Sequence, residues 1–97
     1  FGMKAGLNME DVIEVISKGA AQSWQMENRY QTMIDDKFDF GFAVDWMRKD
    51  LKIAMDEAKN NGSLLPVTEL VDKYYGEVQE MGGNRWDTSS LIRRFRK

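Results

Sequence analysis

Lys49 and Asp50 stand side by side in a stretch that also carries Phe42, Trp46 and Ile53, and these five residues hold most of the recognisable chemistry in the chain. An ammonium offers three hydrogen-bond donors and a carboxylate only acceptors, so the pair suits binding and orientation better than nucleophilic attack. Read without context, Lys49 is a solvated surface lysine and Asp50 a carboxylate paired with a nearby base. A second reading has Phe42, Trp46 and Ile53 meeting something outside these residues: another domain, a second subunit or a ligand. The chain contains no histidine and no cysteine. Imidazole bases, thiolate nucleophiles, disulfides and metal sites built on Cys or His are therefore excluded within it, and no metal site is expected.

The element carrying this stretch reads as a long helix from about Ala43 to Asn61, with Gly62 placed to end it. At about 100° per residue, Val44, Met47, Leu51, Ala54, Met55 and Ala58 form one continuous stripe, the ordinary inward face of a packed helix. Phe42, Trp46 and Ile53 project to roughly the opposite side, and Asp45, Arg48, Lys52, Asp56 and Lys59 fill the arc between. Lys49 flanks the second apolar face on its polar side and Asp50 on the side towards the core stripe. A helix on the surface of one domain needs no such second face.

Around it the spacing predicts further helices and no strand. Phe1-Gly2-Met3-Lys4-Ala5 reads as the end of a helix whose beginning is missing, closed by Gly6, so the chain is expected to be a fragment. Asn8 caps a helix at about 9–18, with Glu10 and Asp11 in its first turn and Val12, Ile13, Val15 and Ile16 as its apolar face. Ser23 lies at the start of a helix bearing Trp24, Met26, Tyr30, Met33 and Ile34 and running to about Asp35. The stretch from Asp35 to Gly41 is a loop with Phe38 and Phe40 as anchors. Pro66 fits the first turn of a helix ending near Met81 at Gly82-Gly83, and Asp87 caps a last short helix through Ser90, Leu91, Ile92 and Phe95. The expectation is an all-α fold, a single domain of about five helices over residues 1–97, with no repeat, low-complexity tract or long linker.

Composition agrees with a globular chain. With 42% apolar and 31% charged residues, disorder and a membrane span are both disfavoured. A net charge of −2 gives no broad attraction to a phosphate backbone; the one basic cluster, Arg93, Arg94, Arg96 and Lys97, suits a helix C-terminus, and no nucleic-acid partner is expected. No signal-peptide pattern follows Phe1, and a cytoplasmic location is expected. At 97 residues a domain buries a modest fraction of its surface, so stability is expected to lean on a partner.

The segments Ala5-Gly6-Leu7, Gly19-Ala20-Ala21-Gln22-Ser23-Trp24, Gly41-Phe42-Ala43-Val44-Asp45, Lys49-Asp50-Leu51 and Leu65-Pro66 occur in that order, followed by Trp86-Asp87-Thr88-Ser89-Ser90-Leu91-Ile92. As an ordered set spanning nearly the whole chain, they resemble the C-terminal domain of the β-hydroxyacid dehydrogenase family, whose fold is like that of the 6-phosphogluconate dehydrogenase C-terminal domain. Phe40 stands where the family often has proline, and Leu64 where it often has a small loop residue.

The resemblance implies an NAD(P)-dependent oxidoreductase moving a hydride between the nicotinamide cofactor, NAD or NADP, and a small hydroxyacid or semialdehyde. It implies an N-terminal Rossmann domain as partner, homo-oligomers formed through the helical domain, and a catalytic lysine upstream of Phe1. Lys4 does not match that lysine, so no catalytic residue is expected here and these residues alone are expected to be inactive. By the same resemblance Lys49 contacts the cofactor near its nicotinamide end, Asp50 holds neighbouring basic groups, and Phe42 borders the cofactor and substrate cleft. Ser23 and Trp24 match a family Ser-Trp pair and are expected to serve packing. The alternative is an oligomerisation module of a catalytically inactive family member.

Overall fold

A computed structural model describes residues 1–96, and these divide into two compact units, Phe1–Lys37 and the part from Phe38 onward. Among the described residues there are four α-helices and a closing 3-10 helix; the single β-type pairing is an isolated antiparallel bridge between Ala43 and Asp87. None of the helices is long and apolar enough to cross a membrane.

The first unit is a helical hairpin preceded by a closed turn. Gly6 takes φ 79°, with Leu7 N–H donating to Gly2 O at 3.1 Å and Gly6 N–H to Met3 O at 3.2 Å. That is the hydrogen-bond pattern of a glycine-terminated helix end. Helix α1, Met9–Ile16, is capped by Asn8, whose side chain accepts from Asp11 N–H at 3.1 Å. It stops two residues short of the expected end, where Ser17 N–H donates to Ile13 O and its hydroxyl turns back to Glu14 O. Val12 and Ile13 are half-buried, whereas Val15 and Ile16 are exposed, so only part of the expected apolar face packs within this chain.

Helix α2, Trp24–Ile34, is capped by the Ser23 hydroxyl accepting from Met26 N–H at 3.0 Å. Met26, Tyr30, Met33 and Ile34 are half-buried, and Gln31 Nε2 reaches Glu10 Oε1 on α1 at 3.2 Å. The packing role expected of Trp24 is not what is found: its side chain is exposed beside the helix, with the Arg29 guanidinium 4.8 Å from its ring centroid. As the first residue of the helix it lies outside the Met26–Tyr30–Met33 stripe. Ser23 serves the helix end instead of a core.

The second unit is built on two long helices. Helix α3, Val44–Asn61, ends at Gly62 in the left-handed conformation, and α4, Pro66–Glu80, starts with Pro66 at its first position. They pack against each other around Val44, Tyr75 and Val78, with Met47, Leu51, Val71, Trp86 and Leu91 closing around these. Ala54, expected on the inward stripe, is exposed; it sits at the stripe's edge. Phe38 is the anchored aromatic of the preceding loop, at 1% exposure; Phe40, the other expected anchor, is exposed.

The closing helix, Thr88–Arg96, is 3-10 rather than α, and it packs on α4. Such runs are normally short. Here side chains hold it: Tyr75 Oη donates to Thr88 O at 3.2 Å, Arg94 Nε to Glu77 Oε2 at 2.7 Å, and the Arg93 guanidinium lies 4.1 Å from the Trp86 ring centroid. Burial pushes the Tyr75 hydroxyl above its ordinary titration range.

Candidate functional site

Helix α3 has no side chain capping its own N-terminus, since its N-cap is Ala43. The backbone donors at a helix start must still find acceptors. They find them in the segment after α4: Phe42 N–H donates to Asp87 Oδ1 at 3.2 Å, Val44 N–H to Trp86 O at 2.9 Å and Asp45 N–H to Asn84 O at 3.0 Å. Asp87 is 1% exposed; its Oδ2 accepts from Ser89 N–H at 3.0 Å and from the Ser89 hydroxyl, and its own N–H donates to Phe38 O at 2.8 Å. The expected helix cap at Asp87 is therefore present, and the same carboxylate reaches back to the entrance of α3.

On the outer face of α3, Trp46 is 50% and Ile53 61% exposed, while Met47 and Leu51 are half-buried on the packed side, as the periodicity predicts. Lys49 and Asp50 are exposed too. Lys49 Nζ lies 5.5 Å from the centroid of the Trp46 ring and 4.0 Å from Asp50 Oδ1. The structure thus brings Trp46, Lys49 and Asp50 together. Phe42 is likewise exposed, but for a different reason from the one the helical projection gave. The helix begins at Val44, so the 100° step does not apply to Phe42; its place follows from the Asp87 contact.

Between α3 and α4 lies a polar network that the sequence spacing did not reveal. Arg48 grips Asp72 with both ends of its guanidinium, Nε to Oδ1 and Nη2 to Oδ2, each at 2.8 Å, and Nη1 donates to Gln79 Oε1 at 2.8 Å. Gln79 Nε2 continues to Asp45 Oδ1 at 2.7 Å, which also accepts from Asn84 Nδ2 at 3.1 Å. Hydrogen bonding to Arg48 holds the Asp72 carboxyl below the ordinary aspartate range, against the opposing effect of burial. Bonding to Asp72 raises the Arg48 guanidinium in turn. One sequence signal for this network was Gly76, mid-helix on α4: a Cβ there would come within 3.1 Å of Arg48 Nη1.

Chemically, the face offers an ammonium, a neighbouring carboxylate and aromatic surface on a rigid helix. It can donate hydrogen bonds, lie against a flat ring and keep water off it. Among the described residues no group of His, Cys, Asp or Glu side chains is arranged to hold a metal ion.

Comparison with known proteins gives a consistent picture. Residues 1–95 match the family described as the NAD-binding domain of NADP-dependent 3-hydroxyisobutyrate dehydrogenase. An uncharacterized oxidoreductase of Shewanella frigidimarina is 69% identical over 97 residues, covering all of this chain and 33% of that protein. The 2-(hydroxymethyl)glutarate dehydrogenase of Eubacterium barkeri is 33% identical over 93 residues, covering 95% of this chain and 31% of the enzyme. In three dimensions the chain is similar to 3-hydroxyisobutyrate dehydrogenase from Salmonella typhimurium, with a TM-score of 0.83 at 28% identity, covering 95% of this chain and 32% of that one. The chain spans about a third of the length of these relatives.

Proposed function

Since the chain belongs to the NAD-binding domain family of NADP-dependent 3-hydroxyisobutyrate dehydrogenase, we propose that it is the C-terminal cofactor-closing and dimerisation domain of an NAD(P)-dependent 3-hydroxyacid dehydrogenase or semialdehyde reductase. The rest of that enzyme would include a dinucleotide-binding Rossmann domain, which these relatives, about three times as long, have room for. The substrate class is a small hydroxyacid or the corresponding aldehyde acid.

One observation carries the site assignment: the motif-bearing turns of α3 turn Trp46 and Lys49 outward while the opposite stripe of the same helix is packed. The donor set fits a dinucleotide. Lys49 can donate to the oxygen atoms near the nicotinamide end, with its ammonium 5.5 Å from the Trp46 ring centroid and 4.0 Å from Asp50 Oδ1. Phe42 and Trp46 supply the apolar wall that excludes water. The nicotinamide, when bound, donates or accepts the hydride. By the family resemblance, proton transfer would fall to a lysine outside these residues, since Lys4 does not match the family's catalytic lysine.

The test is turnover by the longer protein, followed through the absorbance of reduced nicotinamide with NAD+ or NADP+ and a panel of small 3-hydroxyacids. Reduction with at least one acid supports the reading. An intact, folded protein that binds neither cofactor refutes it.

A further inference from the structure

We infer that Asp87 is a positioning residue for the cofactor-facing wall, acting through the backbone of Phe42. This rests on the reading of Phe42 given above, and it assigns a site role to a buried residue whose bond to the face is through the Phe42 backbone.

The case begins with α3 itself. Helix starts are normally capped by a side chain at the N-cap position, and Ala43 has none to offer. The entrance of α3 is instead fixed from across the unit by three acceptors in the segment from Asn84 to Asp87. Of these three, two are backbone carbonyls, which any sequence would supply. The third is the Asp87 carboxylate, and it takes the Phe42 N–H, outside the helix, where no helical geometry dictates the chain's path. With Asp87 1% exposed and its other oxygen engaged by Ser89, the carboxylate has little freedom to follow Phe42 if that residue moves. The bridge between Ala43 and Asp87 and the bond from Asp87 N–H to Phe38 O tie the two segments together on both sides of this contact. Phe38 is buried, so the loop that presents Phe42 is clamped before it and after it. The Phe42 ring is left exposed on a backbone tied to Asp87.

A merely structural aspartate would lower stability when removed without singling out Phe42. The experiment therefore reads the Phe42 amide and the cofactor separately. Asp87→Ala and Asp87→Asn are compared by amide hydrogen exchange and by NADPH affinity, both in the longer protein. Losing a hydrogen bond to a charged acceptor should speed exchange of the Phe42 amide about 10-fold or more in Asp87→Ala. NADPH affinity should fall by roughly 2- to 10-fold, the weight of one ordinary hydrogen bond. Asparagine keeps an acceptor for Phe42 but turns its NH2 towards the Ser89 N–H, so it should recover only part of both. In a Phe42→Ala background, Asp87→Ala should weaken affinity no further. Where Asp87→Ala does not fold, Asp87→Ser, with a shorter side chain that still caps the closing helix, carries the same comparison.

Unchanged Phe42 exchange, or an equal loss of affinity with and without the Phe42 ring, would overturn the inference while leaving the functional reading intact. If Phe42→Ala alone leaves NADPH affinity unchanged, the assignment of Phe42 fails and the role of Asp87 falls with it.

Discussion

Replacing Asp72 with asparagine should cut the polar network between α3 and α4 at its charged end. Arg48 now holds Asp72 through two parallel bonds of 2.8 Å. An asparagine can keep the acceptor for Nε but turns an NH2 group towards Nη2, so one charged bond is replaced by two opposed donors. Hydrogen bonds to charged groups are typically worth ~1.5–3 kcal/mol, and partial exposure screens them, which leaves a cost of about 1–2 kcal/mol. The exposures behind that discount are 34% for the Arg48 side chain and 17% for Asp72. In a domain of this size such a loss lowers Tm by roughly 5–12 °C.

The pH dependence has a definite sign. The Asp72 carboxyl is depressed in the folded chain, so its contribution is complete above the unfolded aspartate value, about pH 4, and is lost as pH falls through the lower folded value. Urea denaturation of both proteins should therefore give a constant stability gap from neutral pH to about pH 5, closing on further acidification. A gap that is absent at neutral pH, or one that widens as pH falls, would refute the reasoning.

Gly83→Ala should destabilise by ~1–3 kcal/mol, the usual cost of overpacking, because its new methyl must displace buried neighbours. A Cβ at Gly83 would lie 2.3 Å from Trp86 Cε3 and 2.6 Å from Val78 Cγ1, and thermal melting reports the loss directly. Lys52→Gln should leave Tm unchanged within error, since the Lys52–Asp56 pair is exposed one turn apart on α3; a clear drop would mean that such pairs matter more here than solvent screening allows. The isolated chain should show no NAD(P)-dependent turnover in a nicotinamide absorbance assay, and turnover surviving exclusion of contaminating enzyme would contradict the division of roles proposed above.

Much of this was legible residue by residue. Asn8, Ser23, Gly62 and Pro66 mark helix ends by local chemistry alone, and each is found doing so. The two-sided character of α3 follows from a 100° step and survives in the exposures of Trp46 and Ile53. What local rules could not supply were the long-range pairings. Nothing in the spacing of Arg48 and Asp72 announces a bidentate pair between two helices, because the pairing depends on how α3 and α4 pack. Phe42 is exposed, as expected, but the helical projection that placed it does not apply outside the helix. Ala54 was assigned to a packed face because periodicity gives a direction and not the extent of the neighbour that covers it, and Trp24 because of its match to a family pair. The last helix is held by Tyr75 and Glu77 on α4, distant from its own sequence, as well as by Trp86 just before it.

The central claim is that the Lys49 face meets the nicotinamide end of the cofactor, and NADPH affinity of the longer protein carrying Lys49→Met tests it most directly. Methionine keeps an apolar stem along Trp46 and removes the charge and the donors, and Lys49 is exposed, so melting should change little. The lost charged hydrogen bond predicts a Kd raised by about 10- to 100-fold. An unchanged Kd at unchanged Tm would make Lys49 an ordinary solvated lysine and would contradict the account.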